Sequence, residues 1–306
     1  MAEPLNSDTA VPRLAAVTSA QARVSFEFFP PKDELGRKSL QQTIKRLAPL
    51  APEFASVTYG AGGSTRHRTL ETVIQLQKET SMPIAAHLTC MGAQRTEIDC
   101  LAQGYWTQGI RHIVALRGDA PNGDSFTYTR HPALYGSSVD LIAGLKRVAD
   151  FEISVSAYPE RHPDSPSWEH ELDYLKRKID AGSTRAITQF FFSADVFLRF
   201  LERVRAAGID IPIVPGIMLQ PNFKSVCRMA NMCAVDVPDW YGKLFEGLEQ
   251  DKLTRQLLTA SLTVDLVAEL RNHGVQDFHL YTLNRADIAL AICRVLGVGQ
   301  AISKAA

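Results

Sequence analysis

Val24-Ser25-Phe26-Glu27-Phe28-Phe29-Pro30-Pro31 reads as a buried strand that carries a carboxylate and then stops. Apolar and aromatic residues suit the interior of a sheet. Neither proline has an N–H to give, so strand pairing ends before them. The residues just after this first strand decide between two α/β architectures. A doubly wound dinucleotide-binding sheet would carry G-x-G-x-x-G there, whereas this chain has Pro30-Pro31. That favours a closed parallel barrel. Glu27 carries the second message. An ionised carboxylate inside an apolar run is costly unless it is paired or protonated. Held protonated near a strand end, it is a candidate general acid; paired with an arginine, it is a structural residue.

Similar segments recur along the chain, at residues 54–59, 84–89, 112–116, 153–158, 186–190, 211–217 and 278–283. Up to the seventh strand their starts lie roughly 25–40 residues apart, the length of one βα unit. Helical spacing fills the gaps. Leu172, Leu175 and Ile179 form one apolar stripe, and Leu253, Leu257, Leu258, Leu262, Leu266 and Leu270 form another, closed by Gly274. Strand and helix alternating about eight times predict a single-domain (β/α)8 TIM barrel. We expect it over residues 22–300, with a leader at 1–21 and a tail at 301–306. The long interval before the last strand predicts extra helices around residues 238–248 and 252–273.

The chain has 306 residues, a formal net charge of +0 and pI ≈ 7.1. Non-specific nucleic-acid binding needs a basic surface, so that class is disfavoured. Cys90, Cys100, Cys227, Cys233 and Cys293 form no C-x-x-C pair and no zinc-like cluster. They fit a reducing cytoplasm, as small buried hydrophobes, and no metal is expected. No apolar run approaches the roughly 18–20 residues of a membrane span, and residues 1–21 lack a signal-peptide pattern.

Barrel active sites form at the C-terminal ends of strands. Those ends offer Glu27, Thr58-Tyr59, His87 and Thr89, Arg117-Gly118-Asp119, Tyr158-Pro159-Glu160 with His162, Gln189, and Asn284-Arg285. Each alone also has an ordinary structural reading; convergence on one barrel face is what points to a site. The amide of Gln189 can donate and accept at once, which suits a heterocycle edge. Lys176-Arg177-Lys178 is either the solvated face of a helix or an anchor for a diphosphate.

The chain then resembles a known family. Ser25-Phe26-Glu27-Phe28-Phe29-Pro30-Pro31, Ser56-Val57-Thr58-Tyr59-Gly60-Ala61, His87-Leu88-Thr89-Cys90, Ala115-Leu116-Arg117-Gly118-Asp119, Ala157-Tyr158-Pro159-Glu160, Thr188-Gln189-Phe190-Phe191-Phe192 and Tyr281-Thr282-Leu283-Asn284-Arg285 are similar to the bacterial 5,10-methylenetetrahydrofolate reductases. The resemblance implies a barrel that binds FAD without a Rossmann fold. It implies a ping-pong reaction, in which NADH reduces FAD and leaves. Methylenetetrahydrofolate then receives the hydride on the same flavin face and becomes 5-methyltetrahydrofolate, a methyl source for methionine synthesis. It also implies a homo-oligomer such as a tetramer.

Residue roles come from the same resemblance. Glu27 matches the general acid that protonates N10 of the folate and opens its ring to a 5-iminium cation. Asp119 matches the aspartate whose charge stabilises that cation near flavin and pterin. Gln189 matches the residue that pairs with the pterin and turns to serve nicotinamide; Thr58 matches a nicotinamide contact, and Arg285 a substrate contact. Tyr59, Ala61, His87, Arg117, Gly118, Asp119, Tyr135, Tyr158, His162, Arg177 and Lys178 match FAD contacts, and Glu171 stands where an aspartate is expected. Two departures concern the shared pocket. Met229 replaces an expected phenylalanine, and Ser225 replaces a glutamine that touches folate.

Overall fold

The opening stretch forms β1 (Arg23–Phe28), which stops just before Phe29 and the two prolines. The structure, a computed structural model, describes residues 22–60, 65–118 and 131–299. Ala61 and Asp119 lie outside the described residues, as do the expected leader and tail. The remaining strands are β2 (Ala55–Val57), β3 (Ile84–Thr89), β4 (His112–Leu116), β5 (Glu152–Ala157), β6 (Arg185–Thr188), β7 (Ile213–Val214), β8 (Gly216–Met218) and β9 (Asp277–Tyr281). All pairings are parallel, in the order β7-β6-β5-β4-β3-β2-β1-β9-β8. Helices succeed the strands as α1 (Glu34–Leu47), α2 (Arg66–Glu79), α3 (Arg95–Thr107), α4 (Ser138–Val148), α5 (Trp168–Asp180), α6 (Ala194–Ala206) and α7 (Phe223–Cys233). The long interval holds α8 (Asp239–Lys243) and α9 (Lys252–Asn272), and α10 (Asp287–Val295) comes after β9.

The expected seventh strand is two short strands, because Pro215 separates them. A proline cannot donate to a ladder, so the chain changes partner there: β7 pairs with β6 and β8 with β9. The barrel therefore closes at a seam. His279 N–H donates to the Pro215 carbonyl at 3.0 Å. Gly216 N–H donates to Thr188 Oγ1 at 3.0 Å, and the Tyr281 hydroxyl donates to the Thr188 carbonyl at 2.7 Å. A Cβ at Gly216 would sit 2.2 Å from the Thr188 oxygen and 2.6 Å from the Tyr281 ring, so only glycine permits this approach.

Strand alternation sorts side chains between two interiors. Val24, Phe26 and Phe28 of β1 pack outward into the core shared with Ile44 and Leu47 of α1 and with Ile288 and Ile292 of α10. Each fully buried phenylalanine stabilises that layer by about 1.5–3 kcal/mol. The lumen is different. Phe54, Ala85, Val114 and Ile187 form a small apolar plug, and Ser25, Ser56, His87, His112, Ser154 and His279 are buried around it. His112 Nε2 meets Ser154 Oγ at 2.7 Å, and its ring abuts Phe54 edge-on at 4.4 Å. A polar lumen positions the chemistry above it.

Candidate active site

Glu27 faces into the barrel near its upper end, with a side chain 13% exposed. Its Oε2 lies 3.4 Å from His87 Nε2 on β3 and 3.6 Å from His279 Nε2 on β9. Both imidazole nitrogens are buried and make no hydrogen bond among the described residues. One carboxyl oxygen thus stands between two ring nitrogens, near enough to share a proton with either after a small adjustment. Burial pulls the pKa of His87 below its ordinary value; the Glu27 charge opposes the shift and His279 adds to it. The far nitrogen of His279, Nδ1, is 2.7 Å from Ser25 Oγ. Tyr281, beside Glu27 in register, has its pKa pushed well above the ordinary phenol value, first by burial and then by the Glu27 charge. It remains a hydrogen-bond donor.

The strand end is stitched in place. Thr282 Oγ1 donates to the Glu27 carbonyl at 2.7 Å. The Asn284 side chain accepts from Phe29 N–H at 2.8 Å and donates to the Phe29 carbonyl at 2.9 Å. Leu283 (φ 51°) and Asn284 (φ 57°) are both left-handed, a conformation that asparagine tolerates and leucine pays for.

A chamber of about 290 Å³ opens over Glu27, lined by Phe29, Thr58, His87, Gln189, Met218, Met229, Cys233, Tyr281 and Leu283 among others. Gln189 Oε1 accepts from Phe190 N–H at 3.0 Å, so its amide donors have no partner among the described residues. Beside this chamber runs a larger cleft of about 1050 Å³. Arg117, Gly118, Tyr158, His162, Glu171, Arg177 and Lys178 line it, with Ser138, Asp140, His170 and Tyr174. Tyr59 and Tyr158 belong to both walls. Lys178 is buried, donates from Nζ to the Ser156 carbonyl at 2.8 Å, and has its pKa drawn down to about 8. Burial is the main cause; Glu171 opposes it and Arg117 adds to it. Arg117 pairs with Asp164 at 3.0 Å. Burial also lowers His162, whose backbone N–H donates to Glu171 Oε2 at 3.3 Å. A Cβ at Gly118 would come within 2.8 Å of the Thr89 Cβ, so glycine keeps that wall open.

Some expected residues stand elsewhere. His87, expected at FAD, lines the chamber over Glu27, not the cleft; Thr58, expected at the nicotinamide, lines that chamber too. Tyr135 is buried with its hydroxyl on Asp99 Oδ1 at 2.6 Å, and lines neither space. Neither do Ser225, whose N–H is capped by Asn222, and Arg285. Sequence reading gave no role to Ser25, His279 or Tyr281. The available signal was the polar residue at every second position of Asp277-Phe278-His279-Leu280-Tyr281, in register with β1. Among the described residues, no group of three or more His, Cys, Asp or Glu could hold a metal ion, and no helix is long and apolar enough to cross a membrane.

A parallel barrel that gathers a buried carboxylate, two imidazoles and a basic cleft at its upper end defines a barrel enzyme acting on small molecules. The methylenetetrahydrofolate reductase family matches residues 13–297. The 5,10-methylenetetrahydrofolate reductase of Salmonella typhimurium is 47% identical over 293 residues, covering 96% of this chain and 97% of that one. The enzyme of the same name from Escherichia coli is 48% identical over 283 residues, covering 92% and 93%. The chain belongs to the methylenetetrahydrofolate reductase family, oxidoreductases acting on a folate. Among solved structures, a Clostridium thermocellum protein described as binding two copies of 5-methyl-5,6,7,8-tetrahydrofolic acid shares the fold, with TM-score 0.62 at 14% identity over 93% of this chain and 97% of that one.

Proposed function

We propose that the protein reduces 5,10-methylenetetrahydrofolate to 5-methyltetrahydrofolate with FAD as bound cofactor and NADH as reductant, in a ping-pong cycle with Glu27 as the general acid. The observation that carries this reading is Glu27 Oε2 held between the buried His87 and His279 nitrogens at the floor of a small chamber. Protonated Glu27 delivers its proton to N10 of the folate; with the proton gone, His87 and His279 present N–H groups to the carboxylate. Gln189 offers amide donors to the pterin edge, and Tyr281 closes the wall. Asp119, outside the described residues, supplies the negative charge that steadies the iminium cation.

The cleft residues fit FAD. Lys178 and Arg117 sit beside a long space that Gly118 keeps open, and Arg177 extends the positive wall. They would hold the diphosphate, with His170 and Tyr174 toward the adenosine end. When bound there, FAD supplies the hydride acceptor and donor that links the two substrates. The same reading makes the protein a cytoplasmic homo-oligomer feeding methionine synthesis. Exposed Trp240, Leu244, Leu253 and Leu257 are surfaces such an assembly can bury.

Glu27→Gln tests the proposal by separating the half-reactions. Flavin bleaching by NADH under anaerobic conditions should survive, while reoxidation by methylenetetrahydrofolate should slow by about 10²–10⁴-fold. Equal loss of both half-reactions removes Glu27 from its assigned role.

A further inference from the structure

His279 is wholly buried, and contacts on several sides fix its ring. Its backbone N–H is held at the barrel seam by the Pro215 carbonyl at 3.0 Å. The ring stacks on Phe54, with centroids 5.6 Å apart and planes 23° apart, and meets Tyr281 edge-on at 5.3 Å. Strand register places Ser25 opposite His279 and Glu27 opposite Tyr281. Ser25 and Glu27 alternate with Phe26, so both face the lumen. The ring of His279 therefore spans them: Nδ1 is 2.7 Å from Ser25 Oγ, and Nε2 is 3.6 Å from Glu27 Oε2. A buried hydroxyl must give its proton to an acceptor. Among the described residues, His279 Nδ1 is the acceptor within reach of Ser25 Oγ, so the hydroxyl donates and Nδ1 accepts. An imidazole that accepts at Nδ1 carries its proton on Nε2. That N–H faces Glu27 Oε2. The Tyr281 hydroxyl is committed to the Thr188 carbonyl and does not compete for it.

We propose that Ser25 and His279 are positioning residues that decide which oxygen of Glu27 carries the acidic proton. Ser25 sets the tautomer of His279, the Nε2–H so fixed makes Oε2 the accepting oxygen, and the proton is left to Oε1. The inference rests on the reading of Glu27 as the general acid. In the transfer the Oε1–H bond breaks and an N–H bond forms at N10 of the folate. The electron pair left on the carboxylate is met at Oε2 by a donor already in place, and water returns a proton to Oε1 before the next turnover. A donor oriented in dry surroundings needs no reorganisation as the charge develops. His87 Nε2, 3.4 Å from the same oxygen, stands on its other side.

The test is a double-mutant cycle on the folate half-reaction, followed as flavin reoxidation in single turnovers of reduced, FAD-loaded protein. His279→Leu should slow that step about 10–100-fold at saturating methylenetetrahydrofolate, with the half-saturating concentration changed by less than about twofold. His279→Gln returns an N–H near the Nε2 position and should recover most of the rate. Ser25→Ala should slow the step about threefold to tenfold. In the Glu27→Gln background no acidic proton is left to place, so His279→Leu should slow the residual reaction by less than about twofold more. Bound FAD content reports whether each variant is folded; if His279→Leu is not, Ser25→Ala is read in its place, alone and in the Glu27→Gln background. An equal loss in both backgrounds, or no loss in either, overturns the proposal and leaves Glu27 as the acid. A His279→Gln variant as slow as His279→Leu also overturns it. Absence of folate-driven reoxidation in the wild type overturns the folate reading itself.

Discussion

Asn284 offers a clean dissection of how the end of β1 is held. Its side chain makes two hydrogen bonds to the Phe29 backbone, at 2.8 and 2.9 Å, from a residue with φ 57°. Asn284→Ala removes both bonds and leaves a residue that tolerates the left-handed conformation less well than asparagine does. Each bond is worth about 1 kcal/mol net, discounted here because exposed Phe29 can turn to water. The conformational cost is about 1 kcal/mol. The expected destabilisation is about 2–3 kcal/mol for alanine. Asn284→Gly loses the bonds and escapes the conformational cost, so it should lose only about 1–2 kcal/mol. Urea unfolding with an unchanged m-value measures both, and the difference isolates the backbone effect. Two variants that unfold together would refute the conformational argument. Two variants within about 0.5 kcal/mol of wild type would show that the clamp contributes nothing.

Three further outcomes are expected. The Lys178 pKa of about 8 means its charge is lost as pH rises through that value; on the proposed reading of the cleft as an FAD site, FAD release, read by free-flavin fluorescence after dilution, should therefore increase between pH 7 and 9 in wild type and lose this dependence in Lys178→Met. His112, its pKa lowered to about 3 chiefly by burial, stays neutral in the fold and titrates near its ordinary value of about 6.5 when unfolded. Stability is thus full above that value and falls with acid, by about 2 kcal/mol between pH 6.5 and 5; His112→Gln should flatten the slope, and an unchanged slope in urea titrations would exclude His112 as its source. Gly216→Ala should destabilise the barrel by about 3 kcal/mol or more, through the collision with Thr188 and Tyr281, measured by thermal melting.

Much of the fold was legible because strand chemistry is local. The apolar runs and the double proline announced a parallel barrel, and several of the strand-end polar residues line the two spaces at its upper end. The divided seventh strand was not legible. Residues 211–217 carry the right composition, and only the partner change at Pro215 breaks the run. The neighbours of Glu27 were hidden for a related reason. His87 and His279 are remote in sequence, and only the register of β1 with β9 and of β3 within the barrel brings them to one oxygen. Lys178 shows the reverse. Its flanking basic residues suit a solvated helix face, yet its ammonium is buried against Ser156.

Tyr281 serves the barrel and the chamber together: its hydroxyl spans the seam to Thr188, while its ring lines the space over Glu27. The width of the chamber is therefore set by the same latch that shuts the cylinder. A ligand that pushes this ring aside must also break the Tyr281–Thr188 hydrogen bond that closes the wall.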